Sequence, residues 1–147
     1  MRAAPGVGVV EPLLHKIAIK PGKPLWFGLC GRVPVFALPG NPVSCLVGFE
    51  TFVRRALARM AGTEAGAWQA ERLRLGRWSG APLRENPRQQ NHPVRVSPGA
   101  DGVDVLEPLA WKSSADIVGI TRADGLAVVA ANRGAAAGEL VPWRPIG

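Results

Sequence analysis

The stretch Leu38-Pro39-Gly40-Asn41-Pro42-Val43-Ser44 decides how this chain is read, because a strand ends in it and a helix begins. Upstream, Pro34-Val-Phe-Ala-Leu38 is an apolar run of strand length entered through a proline. Downstream, Val43 to Met60 contains no proline, and Val43, Leu46, Val47, Val53, Leu57 and Met60 recur at helical spacing. Glu50 and Arg54 add an i,i+4 ion pair. Asn41 is a preferred N-cap, Pro42 suits the first helical position, and Gly62 fits the stop. A strand, a tight turn and a helix in this order leave the first helical amides unpaired, and these favour an anion. Gly40 would let a ligand approach the backbone, and Ser44 places a hydroxyl in the first turn. The same residues also fit an ordinary connection stiffened by prolines, and both readings stay open at this level.

Toward the N-terminus, His15-Lys-Ile-Ala-Ile-Lys20 alternates polar and apolar residues, which predicts a strand. Pro24-Leu-Trp-Phe-Gly28 predicts another, set off from Pro34–Leu38 by Gly31-Arg32, and Pro21-Gly22 is turn chemistry. Lys20 and Lys23 flank that turn. Both ammonium groups would then sit at one end of the sheet and could hold a doubly charged oxyanion, provided the helix start shares that edge. Two solvated turn lysines are the plainer alternative.

Beyond the helix, residues 63–70 are small and polar and read as a linker. Short apolar runs follow at Leu73–Leu75, Val94–Val96, Val103–Leu106, Leu126–Val129 and Leu140–Val141, the spacing of a small β-barrel or sandwich. Ser113 to Arg122 predicts a short helix, with Ser113, Ser114 and Asp116 as capping residues. Other candidates are weaker. His15 falls in a strand and His92 in a polar loop, while Arg84, Arg88 and Arg95 fit a solvated strand edge as well as a basic strip. Cys30 and Cys45 lack the basic setting of a nucleophile. The sequence offers no carboxylate pair, metal-ligand spacing or nucleophile triad.

The chain has 147 residues, 47% hydrophobic and 20% charged, enough apolar content to bury a core. No apolar run approaches the ~18 residues of a membrane span, and Met1 to Val10 lacks the pattern of a signal peptide. Two cysteines are too few for a disulfide scaffold, so a reduced cytoplasmic compartment is expected. The net charge of +7 is uneven: residues 1–62 hold eight Lys/Arg against two Glu (+6), and residues 63–147 hold ten against nine acidic (+1). A bias in one half favours a localised anion site over a nucleic-acid footprint, for which aromatic stacking motifs are also lacking.

Two motifs in order, His15-Lys-Ile-Ala-Ile-Lys-Pro-Gly-Lys-Pro24 and Leu38–Ser44 with its helix, resemble the molybdopterin molybdenumtransferase (MoeA) family, which includes the C-terminal part of gephyrin. Ala115-Asp-Ile, Ala123–Val129 and Gly138–Val141 resemble its small C-terminal domain. The resemblance implies an α/β plus all-β chain: the end of a molybdopterin-binding-like three-layer α/β domain over 1–62, then a β-barrel-like domain over 69–147. It implies insertion of molybdate into adenylylated molybdopterin with release of AMP, helped by Mg2+, in a cytoplasmic, usually dimeric enzyme. It places Lys20, Lys23, Gly40, Asn41 and Ser44 at the substrate oxyanion, Pro39 and Pro42 in the functional turn, and Arg88 and Ser114 as the second domain's share. No metal ligand in this chain is implied. The Arg88 to Arg95 spacing is longer than the family's. The Gly-rich acidic segment that precedes these motifs in the family is absent before His15. The expectation is therefore a C-terminal portion with half an active site, a companion chain supplying the rest, or else a non-catalytic scaffold module of the same family. Neither nucleic acid nor a membrane is an expected partner.

Overall fold

A computed structural model describes residues 9–63, 73–110 and 113–146. Strands β1 (Val10–His15), β3 (Trp26–Cys30) and β4 (Val33–Ala37) form an antiparallel sheet in the order β1-β3-β4. The run from His15 to Lys20 is not one strand. β1 ends at His15, Lys16 takes a left-handed φ of 62°, and β2 covers only Ile19–Lys20. The break has a topological cause: β1 pairs with β3, whereas β2 pairs in parallel with β7 (Gln89–Pro98) of the second half, so an unbroken strand would have to serve two sheets.

The helix begins as expected, with Pro42 in its first turn. It runs as α1 (Pro42–Gly48), a five-residue π-helical turn (Phe49–Val53) and α2 (Arg54–Met60). Glu50 and Arg54 pair at 2.8 Å. At the end, Gly62 takes φ 83° while its N–H reaches Arg59 O and the Thr63 N–H reaches Ala58 O, the paired bonds of a Schellman stop. Gly62→Ala is expected to cost about 1 kcal/mol, because a Cβ in that conformation is strained. A lower urea midpoint at unchanged slope is the readout.

The apolar stripe along this helix divides. Val43 and Val47 are fully buried, but Leu57 and Met60 are 52% and 67% exposed. The first turns pack against Ile19, Ile120 and Leu126, whereas α2 buries no residue. Helical spacing reveals a face without showing what covers it.

The second half is a closed barrel. β7 (Gln89–Pro98), β8 (Asp104–Pro108), β5 (Arg74–Trp78), β11 (Leu140–Pro145) and β9 (Gly125–Val129) pair in that order, and β9 returns to β7. Closure leaves these five strands no open edge. Side chains alternate across the wall: Ala127 and Val129 of β9 join Trp78, Val94, Leu106, Val141 and Trp143 inside, while Leu126 faces outward to α1. Two further strands, β6 (Leu83–Asn86) and β10 (Arg133–Ala135), pair beside it. The short helix α3 (Ile117–Ile120) is capped by Asp116, whose Oδ1 accepts the Gly119 N–H at 2.9 Å. The expected linker lies mostly outside the described residues.

The halves are sutured. β2 extends β7, the outward-facing Arg144 of β11 donates to Glu50 O at 3.3 Å, and one apolar cluster draws on both. No helix among the described residues is long and apolar enough to cross a membrane.

Candidate functional site

The seam between the halves carries a cavity of about 410 Å³. Its floor is the turn after β2. Gly22 takes φ 114°, and a Cβ there would lie 2.8 Å from Ile19 Cδ1, so only glycine fits. The Leu25 N–H closes the turn on Gly22 O at 3.1 Å, and Leu25 is fully buried beneath it. Lys20 and Lys23 are held exposed on either side. From β4 the chain enters through Pro39 and Asn41, and Ser44, 4% exposed, lines the wall from the first turn of α1.

The barrel half supplies the opposite wall. Arg88 sits just before β7, where its N–H donates to Asn86 Oδ1 at 3.1 Å and its Nη1 to Ile19 O at 3.3 Å. Ser113 and Ser114 precede α3. Ser114 O accepts the Val43 N–H at 3.0 Å, and Ser114 Oγ accepts from Asn41 Nδ2 at 2.9 Å. Asn41 therefore does not act as the expected side-chain N-cap. Its amide lies within reach of Ser114, and the Ser114 carbonyl takes over the first-turn N–H.

Of the nine residues singled out from the sequence, Lys20, Lys23, Pro39, Asn41, Ser44, Arg88 and Ser114 line this one cavity. Gly40 and Pro42 belong to the same turn but not to the lining. Ser113, Pro21, Gly22 and Pro24 also line the cavity, and their adjacency to Ser114 and to the lysine turn is the signal the sequence carries for them. Among the described residues, three cations face the space and no carboxylate lines it. Such a wall neutralises a small oxyanion by charge and hydrogen bonding, with no side chain suited to general-base work. Nor does it suit magnesium, which needs carboxylate oxygens; among the described residues no group of three His, Cys, Asp or Glu gathers.

A larger cavity, about 620 Å³, lies beyond Ser113 beside α3. Its charged lining is Asp116, committed to its cap, and Arg122.

His92 is not in a loop. It lies on β7, half-buried, with its ring edge-on to Trp78 at 5.6 Å. Burial pushes its pKa below the usual histidine value; a bond to the Leu109 backbone opposes this, and the charge of Lys20 lowers it further. The unfolded chain thus binds a proton more readily than the folded one. The stabilising contribution is full above the unfolded value of about 6.5 and is lost as pH falls through the lower folded value. His92→Gln is expected to flatten the mildly acidic limb of a stability–pH curve measured by urea unfolding.

Residues 3–59 match the family described as "Probable molybdopterin binding domain", and residues 79–146 match "MoeA C-terminal region (domain IV)". Fold and matches together define a class: the end of a molybdopterin-binding-type α/β domain joined to a barrel. Molybdopterin molybdenumtransferase 2 of Mycobacterium tuberculosis is 52% identical over 46 residues, 31% of this chain and 11% of that protein. The molybdopterin molybdenumtransferase of Haemophilus influenzae is 51% identical over 47 residues, 32% and 12% of the respective lengths. The solved molybdopterin biosynthesis MoeA protein of Pyrococcus horikosii superposes with a TM-score of 0.74 at 30% identity, covering 96% of this chain and 33% of that one. The chain belongs to the MoeA family, whose C-terminal portion it matches, and spans about a third of that solved relative's length.

Proposed function

We propose that the seam cavity binds molybdate, as the molybdate-holding share of molybdenum cofactor synthesis. In the full reaction molybdate enters the dithiolene of adenylylated molybdopterin and AMP is released. The observation that carries this reading is the convergence of Lys20, Lys23, Arg88, Asn41, Ser44 and Ser114 on one space, with no carboxylate among the described residues that line it. Molybdate is a tetrahedral dianion, and such a wall offers it charge and donors together. Pro39 and Pro42 stiffen the turn that presents Asn41 and Ser44. Magnesium, if the full reaction uses it, draws its ligands from elsewhere. The two units, 1–62 and 69–147, each contribute one wall, which makes the site a property of their junction. The setting is cytoplasmic.

Calorimetric titration with molybdate tests the site. Lys20→Ala and Lys23→Ala are each expected to weaken binding about tenfold or more, the scale of a lost charge-assisted bond. Binding unchanged by both substitutions would remove the assignment.

A second reading, an association module rather than a complete enzyme, draws on the exposed Leu13, Leu14, Val33, Leu57 and Met60 of the α/β half. These faces suit a second copy or a companion chain carrying the family's preceding segment. Sedimentation at several concentrations, beside an insertion assay with adenylylated molybdopterin, separates this reading from the first.

A further inference from the structure

We infer that Asn41 is a positioning residue that commits the Ser114 hydroxyl to donate into the cavity, selecting oxyanions that carry no proton. The inference rests on the cavity being an oxyanion site. Asn41 Nδ2 donates to Ser114 Oγ at 2.9 Å. A hydroxyl carries one hydrogen and two lone pairs; the Asn41 amide takes one lone pair, so the hydrogen is turned to another side, and Ser114 lines the cavity. The neighbouring Ser113 is set the same way, since its Oγ accepts the Ala115 N–H at 3.2 Å. Both serines line the cavity beside Lys20, Lys23 and Arg88, which can only donate. The wall is thus biased toward donors by one hydrogen bond made 73 residues apart in the chain and one made two residues apart.

Donor bias has a consequence for selectivity. Molybdate and hydrogen phosphate are both tetrahedral dianions, but hydrogen phosphate carries an O–H that needs an acceptor. Turned toward a donor, that O–H loses its water partner without replacement, and sites reject such mismatches strongly. Charge does not distinguish the two ligands, so hydrogen-bond polarity must.

The test is calorimetry in mildly alkaline buffer with molybdate and inorganic phosphate, on the full chain and on Asn41→Ala, Ser114→Ala and the double variant. The parent chain is expected to prefer molybdate by about tenfold, equivalent to about 1.4 kcal/mol. Asn41→Ala frees the lone pair that the amide held, so the hydroxyl can turn it into the cavity and accept there, and the preference should fall to about threefold or less. In the Ser114→Ala background the same substitution should leave the ratio unchanged, an outcome no general loosening of the turn produces. If molybdate binds the parent chain but phosphate binds equally well, the polarity argument fails while the site stands. If neither ion binds, both fail. A ratio that rises in Asn41→Ala would overturn the inference differently, by showing that Asn41 Oδ1 accepts the phosphate proton. Asn41→Asp gives a further check: it forces Ser114 to donate to the carboxylate, so its penalty on molybdate should shrink once Ser114 is alanine. An equal penalty in both backgrounds is charge repulsion alone and counts against the inference.

Discussion

Trp78→Ala is expected to remove about 3–5 kcal/mol of stability, the range for truncating a buried aromatic. Trp78 is 1% exposed at the centre of the barrel core, on the strand that joins β8 to β11. Its indole N–H donates to Ala81 O at 3.0 Å, so truncation empties a large volume and also strands a carbonyl. Its ring supports His92 edge-on, and that contact is lost with it. A domain of this size is stable by about 5–15 kcal/mol, so the loss consumes a large share of the total. Urea unfolding should show a much lower midpoint at nearly constant slope. Trp78→Phe keeps most of the volume and should cost distinctly less. A loss below about 1 kcal/mol for the alanine variant would mean the barrel collapses to fill the space, and that its core is less tightly specified than the burial indicates. Because the seam cavity takes nothing from Trp78, molybdate affinity in the folded fraction should be unchanged.

The ability to read this molecule from its sequence tracks how local each feature is. Strand, turn and helix around Leu38–Ser44 were legible because Pro39 and Pro42 restrict the backbone wherever they occur, and Gly40 between them punctuates the pattern. The barrel strands were legible as apolar runs, yet β6 and β10 were not, since Leu83-Arg-Glu-Asn and Arg133-Gly-Ala lack such a run. His92 was misplaced for a related reason. Gln89-Gln-Asn-His reads as a polar loop, but Gln90 and Asn91 are 7% and 1% exposed, and Gln90 Nε2 donates to Arg84 O at 2.8 Å. A polar side chain on a strand can be buried where its amide finds a carbonyl, as that of Gln90 does, and nothing in a single segment announces that. The same holds for the candidate site. The residue types were legible, but the pairing of Asn41 with Ser114 and the approach of Arg88 to β2 are products of tertiary closure. The π-helical turn at Phe49–Val53 has no sequence signal that we can identify.

Reversing both charges, Lys20→Glu with Lys23→Glu, is expected to abolish measurable molybdate binding. Each charge-assisted bond contributes about 1.5–3 kcal/mol, so losing two costs about two to four decades of affinity, and two added carboxylates repel the dianion besides. The informative comparison is a double reversal elsewhere in the same basic half. Arg32 and Arg59 are exposed and absent from the cavity lining. Arg32 lies in the hairpin at the far end of β4, about 20 Å of extended chain from Pro39. Arg59 lies about 25 Å along the helix from Asn41. Both distances exceed the Debye length of about 8–10 Å at moderate salt, so Arg32→Glu with Arg59→Glu should leave the affinity within about threefold. The two double variants have the same net charge. If they weaken binding equally, the +7 of the chain acts as a diffuse field and the lysine turn is no site. If only the lysine pair matters, the charge bias of the first half reduces to two side chains held by Gly22 and completed by Arg88 across the seam.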